Sequence, residues 1–302
     1  MKSFIARFRE RAAALESVLC VGLDPTDEHV PPSFEGPHAM TDYLSAVIDI
    51  AAEKAPVVKP QIAFYAAMGR DGAALLNVVV KRAQERGLLV IIDAKRNDIG
   101  STMKMYGGEL FGQLGADAFT VVPYLGSTVV MSLMPWLKKG RCAISMIRTS
   151  NPEAAELQDL VLSDGRKLYE AVAEMTGHWA NRVAEETGGV GTVGGVIGAT
   201  WPEQAVKCRE LMGDNVFALI PGYGAQGGGA EGAVVALPNR GGKLCGTVNS
   251  SRGITLQSWR DKASGEPKAG DPMEHVARAI DDANAELNAA LKEQLGRNPY
   301  AA

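Results

Sequence analysis

Leu89-Val90-Ile91-Ile92-Asp93-Ala94-Lys95-Arg96-Asn97-Asp98-Ile99-Gly100-Ser101-Thr102 opens as an apolar run and ends abruptly in alternating carboxylates and amines. The apolar half reads as a buried strand. Asp93 and Lys95 stand two residues apart, so on a regular strand they leave the same face. That face belongs to a run too apolar for a surface, which sets opposite charges side by side at the mouth of a core. Desolvating a charge costs several kcal/mol, so a charge in such a place is paired or serves a function. An isolated Asp-x-Lys is commonly a structural ion pair. Asp98 adds a second carboxylate just past the strand.

The same arrangement recurs along the chain. Apolar strands are expected at Val18–Leu23, Pro56–Pro60, Leu89 onward, Ala118–Pro123, Cys142–Ile147, Val193–Thr200, Val216–Gly222 and Leu244–Asn249. Helical pattern lies between them, at about Asp42–Lys54, Asp71–Arg86, Thr102–Gly115, Ser127–Leu137 and Arg166–Glu186, with Pro202 in the first turn of another. Short apolar strands alternating with helices imply a parallel sheet covered on both faces, and eight such units make the (β/α)8, or TIM, barrel number. A doubly wound open sheet is the alternative, but no Gly-x-Gly-x-x-Gly follows the first strand. Residues 1–302 are expected to form one catalytic barrel domain. A preliminary helix over Ser3–Ser17, with Phe4, Phe8, Ala12 and Leu15 on one face and Ser3 as N-cap, should cover its bottom. A final helix is marked by Asp271 as N-cap, Pro272, and Met273, Val276, Ile280, Ala283 and Leu287 along one face. Polar stretches at 151–165 and 260–270 read as insertions.

Charge and composition narrow the partner. A net charge of −4, with both signs mixed along 302 residues, leaves no basic footprint for nucleic acid and no polybasic membrane patch. No apolar run approaches the roughly 20 residues of a membrane span, and the N-terminus lacks a secretory leader pattern. Cys20, Cys142, Cys208 and Cys245 show no Cys-x-x-Cys spacing and read as small buried hydrophobes in a reducing, cytoplasmic setting. A small molecule is the expected partner.

Barrel enzymes carry their chemistry at the C-terminal ends of the strands. Those ends supply Asp24, Lys59, Asp93 with Lys95, Thr149 with Ser150, Thr200, Gln226 and Arg252. The glycine-rich Pro221–Gly229 offers bare backbone N–H groups after strand seven, and Arg252 offers a guanidinium after strand eight, where barrels frequently bind phosphate. His29, His38, His178 and His275 fall outside the strands without metal-ligand spacing and are expected on the surface or in packing. There is no Gly-x-Ser-x-Gly elbow. A divalent cation could in principle sit on Asp24 and Asp93, but Lys59 and Lys95 alternate with them and supply the same positive charge.

The string Asp-x-Lys-x-x-Asp-Ile-Gly-x-Thr after an apolar strand resembles the active-site signature of the orotidine 5'-phosphate decarboxylases, in their longer, type 2 subgroup. The likeness extends from Asp24 to Gly253. It implies decarboxylation of orotidine monophosphate to uridine monophosphate and CO2 in pyrimidine biosynthesis, without metal or cofactor. Lys95 and Asp93 would be the catalytic pair, with Asp24 and Lys59 contacting the ribose and extending the charged row. Ser150 would hold the pyrimidine amide, and Gln226 and Arg252 the phosphate. The resemblance further implies a homodimer in which Asp98, Ile99 and Thr102 enter the neighbouring site. Two departures stand out: Ser251 occupies the usual glycine position before the phosphate arginine, and Pro60-Gln61 follow Lys59. Two competing functions are a metal-dependent sugar-phosphate lyase or aldolase on the same barrel and a catalytically silent nucleotide-binding barrel.

Overall fold

Strands buried along their whole length need cover on both faces, and a closed parallel barrel inside a ring of helices supplies it. In the computed structural model, which describes residues 1–301, eight strands close in chain order. They are β1 (Leu19–Leu23), β2 (Val57–Pro60), β3 (Leu89–Arg96), β4 (Ala118–Val121), β5 (Cys142–Arg148), β6 (Thr192–Ile197), β7 (Val216–Ile220) and β8 (Gly246–Ser250). Every neighbouring pair is parallel. The seam is β1 against β8, with Leu19 opposite Val248 and Val21 opposite Ser250. All eight expected strands are present, and the open-sheet alternative falls with the closure of the seam.

The ends of the chain complete the packing. The helix Phe4–Leu15 starts at Ser3, whose hydroxyl accepts from the Ala6 N–H. Its Phe4 and Phe8 meet Phe217 of β7 edge-on, with ring centroids 4.9 and 5.0 Å apart. That contact lies near the start of β7, so the helix plugs the N-terminal mouth as its apolar stripe requires. Arg7 ties the plug down through Asp117 and the Gly140 carbonyl. The helix Pro272–Leu295 is capped by the Asp271 carboxylate on the Met273 N–H, and buries Val276, Ile280, Ala283 and Leu287.

Local departures from the expected pattern have identifiable causes. The helix expected at Thr102–Gly115 runs as Gly100–Gly107 and continues as a wider π turn over Gly108–Gln113. The segment expected at Ser127–Leu137 splits into Thr128–Met131 and Met134–Leu137, with Pro135 in the first turn of the second piece. The 151–165 insertion carries the short helix Ala155–Gln158, whose Gln158 carboxamide accepts from the Thr149 N–H and from Arg148. It thereby braces the end of β5. In 260–270, the Asp261 carboxylate accepts from the Ala263 and Ser264 N–H groups and holds a tight turn. All four cysteines are buried and unbridged. Among the described residues, no helix is long and apolar enough to cross a membrane.

The opening stretch is less regular than alternation predicts. Against β4, Ile92 pairs with Phe119 but the next pair is Arg96 with Val121, so four steps along β3 face two along β4. Lys95 lies inside this bulge with φ +46°, in the left-handed region that favours glycine.

Candidate active site

The C-terminal ends of the strands surround a cavity of about 720 Å3. Asp24, Lys59, Asp93, Lys95, Ser150, Gln226 and Arg252 all line it. Seven of the ten residues singled out in the sequence are therefore gathered in one place. Asp98, Ile99 and Thr102 are not: they lie outside the cavity, with Ile99 56% exposed. The Asp98 carboxylate accepts from the Ile99 N–H, at the start of the helix Gly100–Gly107.

At the centre of the row, one carboxylate serves two cations. Asp93 accepts from Lys95 Nζ at 2.6 Å through Oδ1 and from Lys59 Nζ at 3.4 Å through Oδ2. Burial pushes the Asp93 carboxyl up, but Lys59 and Lys95 beside it, with hydrogen bonds from Lys95 and Thr120, outweigh this and hold it at about 2. For Lys59, burial acts to release the proton, while Asp93 and Asp24 retain it, and the net direction is upward. Both shifts have the same meaning: Asp93 and Lys59 are a charged pair throughout the neutral range. Cys20 lies under it as an inert thiol, pushed up to about 12 chiefly by burial.

The other end of the cavity is built by close backbone approach. Gly222 has φ +97°, and a Cβ there would stand 3.0 Å from Cβ of Ser150, so only glycine lets the loop pass. This brings Gln226 to Ser150, whose hydroxyl donates to Gln226 Oε1 at 2.7 Å. Arg252 begins the short helix Arg252–Thr255 directly after β8. Ser251, the departure from the family pattern, donates its hydroxyl to Asp24 Oδ2 and so joins the end of β8 to the end of β1.

Several cavity residues escaped sequence reasoning. Thr120 of β4 donates to Asp93 Oδ1 at 2.9 Å, and reads in sequence as one more β-branched strand residue. His29 is buried in the cavity wall, bonded through Nδ1 to the Thr26 hydroxyl, and burial lowers its pKa. Its signal is slight, since an isolated histidine has no spacing to betray it. His38 and His178 are exposed as expected. Among the described residues, no group of three or more His, Cys, Asp or Glu side chains is placed to hold a metal ion. A larger, more open hollow of about 920 Å3 lies among Arg7, Arg11, Asp117 and Arg141, but its Asp117 is already engaged by Arg7 and Arg141.

Fold and cavity together define a (β/α)8 barrel that gathers fixed charges of both signs at the C-terminal ends of its strands, the architecture of a barrel enzyme. Comparison with known proteins narrows this class. The chain belongs to the orotidine 5'-phosphate decarboxylase / HUMPS family, whose profile matches residues 17–266. It is 35% identical over 308 residues to an orotidine 5'-phosphate decarboxylase of Rhodopirellula baltica, covering 95% of this chain and 99% of the relative. A Bordetella pertussis orotidine 5'-phosphate decarboxylase is 37% identical over 273 residues, covering 89% and 96% respectively. Among solved structures, Leishmania donovani OMP decarboxylase superposes with a TM-score of 0.75 at 30% identity, over 96% of this chain and 99% of that one.

Proposed function

We propose that the chain is a carboxy-lyase that converts orotidine 5'-monophosphate to uridine 5'-monophosphate and CO2, as a step of pyrimidine biosynthesis. The observation that carries this reading is the row Lys59–Asp93–Lys95, which runs from a buried lysine to an exposed one and holds Asp93 ionised between two ammonium groups in the barrel mouth. Loss of CO2 breaks the bond from the ring carbon to the carboxylate and leaves the electron pair on that carbon. Lys95 Nζ stabilises the developing negative charge and delivers a proton to the carbon, and solvent later restores the lysine. Asp93 faces the leaving carboxylate and opposes it in the ground state. Lys59 and Asp24 bind the ribose, Ser150 the pyrimidine amide, and Gln226 with Arg252 the phosphate.

The reaction requires a barrier reduction of roughly 20 kcal/mol or more, near the top of the enzymatic range. Fixed charge at the reacting carbon supplies part of it. The rest is drawn from the phosphate end, where binding closes the glycine-rich loop over the ligand. The Ser150–Gln226 hydrogen bond supports that division of labour, because it links the pyrimidine and phosphate contacts directly.

The active form under this proposal is a homodimer, with Asp98, Ile99 and Thr102 reaching the neighbouring cavity. Its support is the exposed apolar surface on their own segment: Ile99 and Met105 are 56% and 70% exposed. The same reading makes the chain one catalytic domain working in the cytoplasm.

The test follows the orotate chromophore during incubation of purified protein with orotidine 5'-monophosphate. Wild type should bleach it, and Lys95→Ala should not, while both bind uridine 5'-monophosphate. An inactive wild type, or undiminished turnover in Lys95→Ala, refutes the proposal.

A further inference from the structure

We propose that Thr120 is a positioning residue, one whose hydroxyl holds Lys95 in its strained backbone conformation and aims its ammonium at the reacting carbon. This rests on the decarboxylase reading above. The geometry is local and complete. Where β3 bulges away from β4, the N–H groups of Ala94 and Lys95 lose their ladder partners, and both donate to Thr120 Oγ1, at 3.0 and 2.9 Å. The hydroxyl hydrogen goes to Asp93 Oδ1 at 2.9 Å. A hydroxyl offers one donor and two acceptors, and all three are used. One side-chain atom thus replaces the missing stretch of sheet and fixes three consecutive residues, Asp93, Ala94 and Lys95.

The strain explains why such a hold is needed. A lysine at φ +46° persists only where its surroundings over-determine it. The alternative for Lys95 is an ordinary extended conformation, which changes the direction from which its chain brings Nζ to the 2.6 Å contact with Asp93. Thr120 suits the task because it is buried to 1% exposure, cannot exchange its bonds for water, and is stiff at χ1. Valine has nearly the same shape and lacks the hydroxyl. Serine keeps the hydroxyl and loses a methyl.

The experiment compares wild type, Thr120→Val, Thr120→Ala and Thr120→Ser by turnover of orotidine 5'-monophosphate and by calorimetric affinity for uridine 5'-monophosphate. Thr120→Val and Thr120→Ala should each lose about 100-fold in kcat, the cost of misplacing a reacting group by about 1 Å, with KM and product affinity changed by less than about threefold. Thr120→Ser should recover kcat to within about tenfold of wild type. A Thr120→Val enzyme of full kcat overturns the role. So does a parallel fall of kcat and product affinity, or a serine variant as impaired as valine. Failure of both hydroxyl-free variants to fold also overturns it, since the hydroxyl would then serve the barrel rather than the lysine. An inactive wild type instead defeats the decarboxylase reading itself, and is seen before any variant is made.

Discussion

Replacing Asp93 with asparagine keeps the shape of the row and removes its central charge, which makes the energetic weight of that charge measurable. The side chains of Lys59 and Asp93 are 6% and 16% exposed, so water screens the pair weakly. Holding a carboxyl at about 2 instead of its ordinary 3.8 corresponds to roughly 2 kcal/mol of native-state stability. The sign follows from the direction. A depressed carboxyl contributes fully above its unfolded pKa and loses that contribution as pH falls through the folded one, here between about 4 and 2. Denaturant unfolding of wild type and Asp93→Asn should therefore show a gap of roughly 2 kcal/mol at pH 7, unchanged at pH 5 and narrowed by about half at pH 3. The variant leaves Lys59 with Asp24 as the remaining carboxylate acting on it. A gap that stays constant from pH 7 to pH 3 would refute the coupling, and an asparagine variant more stable than wild type at pH 7 would reverse its sign.

Three further outcomes are expected. Phe217→Ala removes the ring on which Phe4 and Phe8 rest, and should cost about 3–5 kcal/mol in denaturant unfolding while kcat per folded molecule stays the same. At Gly22, an added Cβ would stand 2.5 Å from Ser251 Oγ and 3.0 Å from Ser251 Cα, so Gly22→Ala should push Arg252 off its position. Affinity for uridine 5'-monophosphate should fall about tenfold and that for uridine hardly at all, which calorimetry separates. If Asp98 serves the neighbouring site, mixing inactive Lys95→Ala and Asp98→Ala subunits restores about a quarter of wild-type activity, because half the dimers are mixed and each has one intact site. A mixture as inactive as its components would refute the shared site.

The barrel is legible in the sequence because each strand is a short apolar run stopped by a turn or a charge, and the spacing leaves room for one crossover helix at a time. The charged strand ends are legible for the same reason, since Asp24, Lys59 and Asp93 interrupt runs that otherwise exclude charge. What escapes are features made by two segments at once. Alternation puts Asp93 and Lys95 on one face, and the two side chains do meet. Yet the strand between them is bulged, and the contact depends on a left-handed lysine and on a threonine 25 residues further on. Ser251 is visible only as a departure from a pattern until its hydroxyl is seen on Asp24. His29 is one of four histidines without telling spacing, and only the fold turns it into the cavity wall.

The seam between β1 and β8 has a consequence for synthesis on the ribosome. The residues of the charged row all lie within the first 95 positions, whereas Gln226 and Arg252 are made much later. Leu19 must wait for Val248 before the barrel can shut. Until β8 emerges, β1 is an unpaired edge, and an open edge is a liability for a growing chain. The half-made protein carries the charged row without Arg252 across the mouth from it. The last strand therefore closes the sheet and carries Arg252 to the mouth where Gln226 already lies in one event, so that a chain truncated before β8 should lack both a sealed core and one wall of the cavity.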